Sequence, residues 1–113
     1  MSRRGPRPLG VAVVRGRSML PGLRDGDRLL VAYAAQPRVG DVVVARFADG
    51  TVAVKRATGR RTTRTGGAGW WLLSDNAEEG LGDSRARGVV PAEAVLGVVR
   101  WRLWPRPTRV RGV

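Results

Sequence analysis

The sequence of 113 residues contains neither cysteine nor histidine. Without cysteine the chain forms no disulfide, no thiolate metal site and no thiol nucleophile. Without histidine it lacks the side chain that most often serves as a general base near neutral pH and as a metal ligand. If the protein is an enzyme, its proton transfer must therefore use a carboxylate, a lysine, the single tyrosine or a serine.

Long apolar runs are missing as well. The apolar run 11–14 is too short for the core of a signal peptide, and no stretch approaches the ~20 apolar residues of a membrane-spanning helix. Apolar residues make up 42% and charged residues 27% of the chain, which is ordinary for a globular protein. The sequence therefore predicts one soluble, cytoplasmic domain.

Acidic residues are few: 9 stand against 21 basic ones, and only one of the basic residues is a lysine. The net charge of +12 suggests nucleic acid or an anionic membrane as a partner. The arginines, however, are spread from Arg3 to Arg111, without interleaved aromatic residues or the spacing of a known DNA-binding motif. We therefore predict no specific nucleic-acid partner, and keep a basic β-barrel that binds nucleic acid as the non-enzyme alternative.

Short runs of strand-forming residues alternate with Gly and Asp turn signals, a pattern typical of an all-β, barrel-like protein. The predicted strands are residues 9–14, 28–33, 42–47, 51–57, 70–73 and 95–103. Residues 58–69 are predicted to be a mobile loop or a long, ragged hairpin end, and residues 91–94 a single helical turn. The prediction is a partly open, barrel-like catalytic domain with long loops over residues 9–104. A flexible basic arm (1–8) precedes it and a basic C-terminal tail (105–113) follows it.

Lys55 is the one lysine of a chain that otherwise uses arginine. An arginine does not give up its proton in a protein, whereas a lysine does when burial or nearby cations lower its pKa from about 10.4. In a strand, the period of two places Lys55 on one face with Ala53 and Ala57, whose small side chains leave room for a substrate. Lys55 is therefore a candidate general base; the alternative is a lysine at a strand edge with its amine in solvent.

Ser18 is the candidate nucleophile among the four serines. It follows the first predicted strand in a loop whose glycine permits close backbone approach, and whose N–H groups are suited to an oxyanion. Without Lys55, Ser18 would be an ordinary loop hydroxyl; with it, the two match the Ser–Lys arrangement that dispenses with histidine. The predicted oxyanion and substrate loop consists of Gly16, Arg17, Met19 and Pro21.

Five motifs carry a family resemblance in the right order. They are Gly16-Arg17-Ser18-Met19-Leu20-Pro21, Asp25-Gly26-Asp27, Gly40-Asp41-Val42-Val43, Val54-Lys55-Arg56, and Ser74-Asp75-Asn76 followed by Asp83-Ser84-Arg85. Over residues 11–104 this set resembles the bacterial type I signal peptidase family. The resemblance implies that Ser18 attacks a peptide carbonyl while neutral Lys55 takes the hydroxyl proton, with no cofactor and no metal. It implies supporting roles for Asp75, Asn76, Asp83, Ser84 and Arg85.

The chain departs from the family pattern at three positions. Gly16 stands where the family often has a hydroxyl residue, which leaves backbone N–H groups to bind the oxyanion. Ser74 stands where the family usually has glycine, and Leu81 replaces a serine that contacts the lysine in the family. The resemblance therefore leaves open which group orients Lys55.

The membrane segment that precedes the nucleophile of signal peptidases is also missing, since only 17 residues precede Ser18. Short soluble members, the nickel-type superoxide dismutase maturation proteases, are similar in "GVAVVRGRSMLP", "DGDRLLV" and "DSRARGVVP". We therefore predict a serine endopeptidase that removes the N-terminal propeptide of a nickel superoxide dismutase precursor, a protein substrate.

Two enzymatic alternatives share this chemistry. One is a protease that acts on exported proteins and contacts the membrane peripherally through Trp101, Trp104 and the basic tail. In the competing interpretation, both tryptophans pack against the barrel. The other alternative is a self-cleaving repressor core. It is less favoured because the eight residues before the first strand supply neither a DNA-binding domain nor a cleavable linker.

Overall fold

The computed structural model describes residues 8–112. They form one antiparallel sheet with the strand order β1-β2-β7-β3-β4-β5-β6, and β8 pairs with β7 beside this path. The strands are β1 (Leu9–Val13), β2 (Arg28–Tyr33), β3 (Val42–Arg46), β4 (Val52–Thr62), β5 (Ala68–Leu73), β6 (Val90–Pro91), β7 (Val95–Trp104) and β8 (Thr108–Arg109). Two 3-10 helices (Ala77–Gly82 and Ala92–Ala94) and one short α-helix, α1 (Ser84–Arg87), complete the described fold.

The sheet curls into a half-barrel, which confirms the all-β, partly open fold predicted from the sequence. Residues 58–69 form the end of the β4–β5 hairpin, the second of the two alternatives for this segment. The predicted tail from residue 105 onward contains β8, which pairs with β7 through Trp101 and Arg102. The predicted arm lies outside the described residues except for Pro8, whose carbonyl accepts a hydrogen bond from the Tyr33 N–H.

Two apolar clusters lie on the opposite faces of the central strands. Strand β3 shows this directly, because Val42 and Val44 belong to one cluster while Val43 and Ala45 belong to the other. Successive side chains of a strand point to opposite faces, so a strand that is apolar at every position is buried on both sides. Strand β4 pairs with β3 along its first half and thereby holds Lys55 opposite Val43.

Candidate active site

The loop that carries Ser18 connects β1 with β2 and is fixed by apolar side chains. Met19 and Leu23 are 1% and 6% exposed and pack in the same apolar cluster as the core of β2. The N–H of Gly16, which has a φ of 81°, donates a hydrogen bond of 2.7 Å to Asp25 Oδ1. These contacts hold the partly buried Ser18 at a defined place beside the sheet.

The four residues of the predicted oxyanion and substrate loop have different environments in the structure, and not all of them face a substrate. The Gly16 N–H is engaged by Asp25 and is therefore not free for an oxyanion, whereas the Ser18 N–H donates no hydrogen bond within residues 8–112. Met19 is a core residue. The side chain of Arg17 is exposed, with Glu79 at 3.8 Å, and Pro21 is exposed as well.

Asn76 ties the nucleophile loop to the chain that follows β5. Its backbone N–H donates to the Ser18 carbonyl at 2.9 Å, and its side-chain Nδ2 donates to the Arg17 carbonyl at 3.0 Å. Two consecutive carbonyls of the loop therefore have partners on a single residue. This fixes the position of the Ser18 backbone relative to β5.

Lys55 is only 4% exposed. Its Nζ donates a hydrogen bond of 3.2 Å to Ser74 Oγ, and no carboxylate of the described residues forms an ion pair with it. Burial lowers the pKa of Lys55 below that of an ordinary lysine; the negative charge of Asp83 opposes this, and Arg87 reinforces it. The site thus makes it easier than in an exposed lysine to reach the neutral amine, the form that accepts a proton.

Ser18 and Lys55 line the same cleft, which has a volume of about 240 Å³. The remaining lining comes from residues 12–15, Met19, Val44 and residues 51–54. Within the described chain the two side chains do not hydrogen bond to each other, because the Lys55 amine is directed to Ser74. The structure therefore brings a hydroxyl and a deprotonatable amine to one cleft.

Backbone edges also face this cleft. Strand β1 pairs only with β2, and β4 pairs with β5 only from Arg56 onward. Consecutive residues of both strands line the cleft although their side chains alternate between faces, so their backbones must contribute to the lining. Unpaired backbone groups of this kind are suited to bind an extended peptide as an additional strand.

Asp83 stabilises the turn on which Ser74 lies. It is fully buried, and its Oδ2 accepts hydrogen bonds from the Ser74 N–H at 2.8 Å and from Arg85 at 2.7 Å. Burial on its own would raise the pKa of Asp83, but the hydrogen bonds from Arg85 and Ser74 outweigh this and lower the pKa to about 2. Ser84, also buried, accepts a hydrogen bond from the Leu72 N–H at 2.9 Å.

Asp75 pairs with Arg56 rather than with the lysine. Arg56 donates to both carboxylate oxygens, at 3.0 and 2.7 Å. The same guanidinium donates to the carbonyls of Gly40 and Arg111, each at 2.9 Å. Asp75 and Arg56 thereby join β4, the segment after β5 and the C-terminal segment.

Glu79 and Gly82 also lie at the site, although the sequence did not indicate them. The carbonyl of Glu79 accepts a hydrogen bond from Ser74 Oγ at 3.2 Å, and a Cβ placed on Gly82 would lie 3.9 Å from Lys55 Nζ. A backbone carbonyl leaves no trace in the residue types, so Glu79 could not be found from the sequence. Ser74 did leave a signal, because it is a departure from the glycine usual in the family.

The described part of the chain offers neither a membrane-spanning helix nor an acidic metal site. No helix between residues 8 and 112 is both long and apolar enough to cross a membrane. Over the same residues, no group of three or more acidic side chains is placed to hold a metal ion.

The comparison with known families places this site in a class of proteins. The model of the Peptidase S24-like family matches residues 2–86, which include Ser18 and Lys55 and most of the sheet, and the chain belongs to this family. The family includes serine peptidases.

Among curated proteins, the LexA repressor of Thiobacillus denitrificans (strain ATCC 25259 / T1) is similar to this chain, with 39% identity over 98 residues. The matched region covers 84% of this chain and 46% of the repressor. The chain thus spans about half the length of that curated relative.

Proposed function

We propose that the protein is a serine endopeptidase in which Ser18 is the nucleophile and Lys55 the general base. The observation that carries this proposal is the shared cleft, which is lined both by a serine on a fixed loop and by a buried lysine with a lowered pKa. A lysine of lowered pKa can replace histidine as the base in nucleophilic catalysis. Membership in the Peptidase S24-like family supports the proposal.

The cleft suggests how a peptide is held and cut. The substrate binds in extended form between the backbone edges of residues 12–15 and 51–55. Ser18 Oγ attacks the scissile carbonyl carbon and Lys55 takes the hydroxyl proton, while the Ser18 N–H stabilises the oxyanion. Lys55 returns that proton to the nitrogen of the breaking C–N bond. A water molecule then releases the acyl group from Ser18 in the same manner.

The proposed substrate is a cytoplasmic precursor with an N-terminal extension, that of a nickel superoxide dismutase. The sequence resemblance to the maturation proteases of that enzyme supports this choice. The family resemblance implies small residues just before the scissile bond, and the small side chains of Ala12 and Ala53 leave room for a substrate in the cleft.

The deciding experiment is incubation of the full chain with the precursor, followed by mass measurement of the products. We expect one cut at the end of the extension, and no cut with Ser18→Ala. A Thr58→Ala variant, which removes a hydroxyl outside the cleft, serves as the control and should retain cleavage. Cleavage by Ser18→Ala would show that another residue is the nucleophile.

Self-cleavage is the second candidate, because a repressor is among the relatives of the chain. In that case the purified chain alone is cut, at a first-order rate that does not depend on its concentration. A peptidase acting on a separate precursor instead gives a rate proportional to enzyme concentration and leaves its own mass unchanged. Mass measurement over time at several concentrations separates the two.

We also propose peripheral contact with an anionic membrane through the end of β7. Trp101 and Trp104 are 42% and 55% exposed, so neither is packed away in the barrel. The guanidinium of Arg28 lies 5.5 Å from the centre of the Trp104 ring, which combines aromatic and basic groups at one surface. We expect co-sedimentation with vesicles containing phosphatidylglycerol, and weaker co-sedimentation for Trp104→Ser. Equal binding of both proteins would contradict this contact.

The pH dependence of cleavage should report the titration of Lys55. The base must be neutral, so kcat/KM rises with pH as Lys55 loses its proton. Because burial lowers the pKa of Lys55, we expect the midpoint of this rise to lie below the ordinary lysine value of about 10.4. Initial rates measured across the pH range in which the fold is intact provide the check. A midpoint at the ordinary lysine value would mean that Lys55 is solvated in the working enzyme.

Asn76 should matter through the position of Ser18. Asn76→Ala removes the side-chain bond to the Arg17 carbonyl but keeps the backbone bond to Ser18. We expect kcat/KM to fall about 10-fold, because a small displacement of a nucleophile is costly for attack. The control is Thr58→Ala, which removes a hydroxyl bond to the Trp71 carbonyl in the β4–β5 hairpin. Equal losses in both variants would indicate a general loosening of the fold.

A further inference from the structure

Among residues 8–79 and 82–112, Ser74 is the one hydrogen-bond partner of the Lys55 amine. The Nζ–Oγ distance is 3.2 Å, and both residues are buried, with exposed fractions of 4% and 7%. Water therefore has little access to this contact. Ser74 is held in turn by its own backbone N–H, which donates to the buried carboxylate of Asp83 at 2.8 Å.

The hydroxyl proton of Ser74 has a defined acceptor. Ser74 Oγ donates to the Glu79 carbonyl at 3.2 Å, at a residue whose backbone (φ −107°, ψ 34°) interrupts the 3-10 helix. A hydroxyl has one proton and two lone pairs. Because the Ser74 hydroxyl proton is directed to the Glu79 carbonyl, Ser74 Oγ can only accept a hydrogen bond from Lys55.

This polarity matters for a general base. A neutral amine has two N–H bonds and one lone pair, and the lone pair must be free to take the proton of Ser18. A hydroxyl that donated to the amine would occupy that lone pair. A hydroxyl that accepts from it instead holds one N–H bond and leaves the lone pair for the cleft.

We propose that Ser74 is the positioning residue of this peptidase: its hydroxyl, oriented by the Glu79 carbonyl, fixes the Lys55 amine with its lone pair free for Ser18. The inference rests on the proposed Ser18–Lys55 mechanism and adds a residue to it. Ser74 does not touch the substrate; it acts through the lysine.

The activity test uses Ser74→Ala, with Ser74→Thr as the conservative variant that restores a hydroxyl. On a peptide spanning the precursor extension and the first mature residues, we expect Ser74→Ala to lower kcat about 10- to 100-fold with KM nearly unchanged. Ser74→Thr should recover most of this loss. Thr58→Ala, which removes a hydroxyl–carbonyl bond of the β4–β5 hairpin outside the cleft, should leave kcat near that of the wild type.

A spectroscopic test does not depend on catalysis. Since the chain has a single lysine, protein labelled with 13C-lysine gives one set of Cε–Hε signals. We expect two distinct Hε shifts and low mobility in the wild type and in Ser74→Thr, and one averaged, mobile signal in Ser74→Ala. Melting temperatures check that each variant is folded.

The two tests separate the inference from the function on which it rests. Failure of the wild type to cleave any precursor peptide counts against the proposed function, and the lysine signals then still decide whether Ser74 orders the amine. Normal cleavage by Ser74→Ala, or an unchanged lysine signal in that variant, overturns the positioning role of Ser74.

Discussion

Replacing Lys55 by methionine is expected to abolish cleavage while making the fold more stable at neutral pH. Methionine fills the buried space of the lysine stem but has no group that accepts a proton. We expect kcat/KM to fall at least about 10³-fold, since the nucleophile loses its base. Lys55→Arg should be as inactive, because an arginine keeps its proton in a protein. Substantial cleavage by either variant contradicts the role of Lys55.

The gain in stability follows from the burial of the amine. Burial lowers the pKa of Lys55 in the folded state, so between the folded and unfolded pKa values the unfolded chain binds more protons. The wild type therefore gains stability as pH rises through this window and carries the full penalty below it. We expect the free energy of unfolding of Lys55→Met to exceed that of the wild type by ~1 kcal/mol at neutral pH.

Urea unfolding at several pH values checks this expectation. The advantage of Lys55→Met should shrink as pH approaches ~10.4, where the unfolded lysine also loses its proton. An advantage that is constant with pH would trace the effect to packing instead of charge.

The sheet was largely predictable because its signals are local. Strand β2 occupies the predicted residues 28–33, and the other strands differ from prediction mostly at their ends. The pattern could not decide between a loop and a hairpin for residues 58–69, because pairing there depends on contacts between β4 and β5. The strands β6 and β8 were also missed, because each is only two residues long and contains or follows a proline. Pro91, predicted to begin the helical turn 91–94, lies in β6, and the 3-10 helix covers Ala92–Ala94.

The site was predictable in its residue types but not in its contacts. The lack of histidine and cysteine directs attention to Lys55, and family motifs direct it to Ser18. Which acidic group faces which cation is set by the folded backbone, and the structure pairs Asp75 with Arg56 and Asp83 with Arg85. The same holds for the Lys55 amine, whose partner Ser74 is 19 residues away in sequence.

A maturation protease and a self-cleaving repressor core are the two candidate functions for this site. The match to the repressor covers 84% of this chain, so the two proteins share most of this sequence. Under the proposed mechanism the Ser18–Lys55 dyad would serve either chemistry, because it would act on whichever peptide occupies the cleft. The difference therefore lies in how the scissile segment reaches the edges of β1 and β4.

Removal of the Asp83 carboxylate should have the largest effect on stability. Asp83→Ala leaves the buried Ser74 N–H without its acceptor and removes the N-terminal cap of α1 along with the ion pair to Arg85. We expect a loss of about 3 kcal/mol in the free energy of unfolding at neutral pH, because a buried N–H group loses its acceptor while the helix cap and the ion pair are removed as well. Urea unfolding of both proteins gives this difference directly.

The pH dependence of that loss identifies its cause. The pKa of Asp83 is about 2 in the folded protein, against about 3.9 for an aspartate in an unfolded chain. As pH falls below ~4 the unfolded state takes up the proton first, so the wild type loses the contribution of Asp83 progressively down to about pH 2. The difference between wild type and Asp83→Ala should therefore be full above ~pH 4 and smaller at pH 2.

Asp49 is the matched control. Hydrogen bonds from the backbone and side chain of Thr51, and from Arg87, lower the pKa of Asp49 to about 2 as well, but its side chain is 56% exposed. Because water screens exposed charges, Asp49→Ala should destabilise the fold far less than Asp83→Ala despite the equal pKa. Similar losses in the two variants would mean that burial of Asp83 adds nothing. In that case the turn that carries Ser74 would be held by the remaining contacts of α1 and the 3-10 helix.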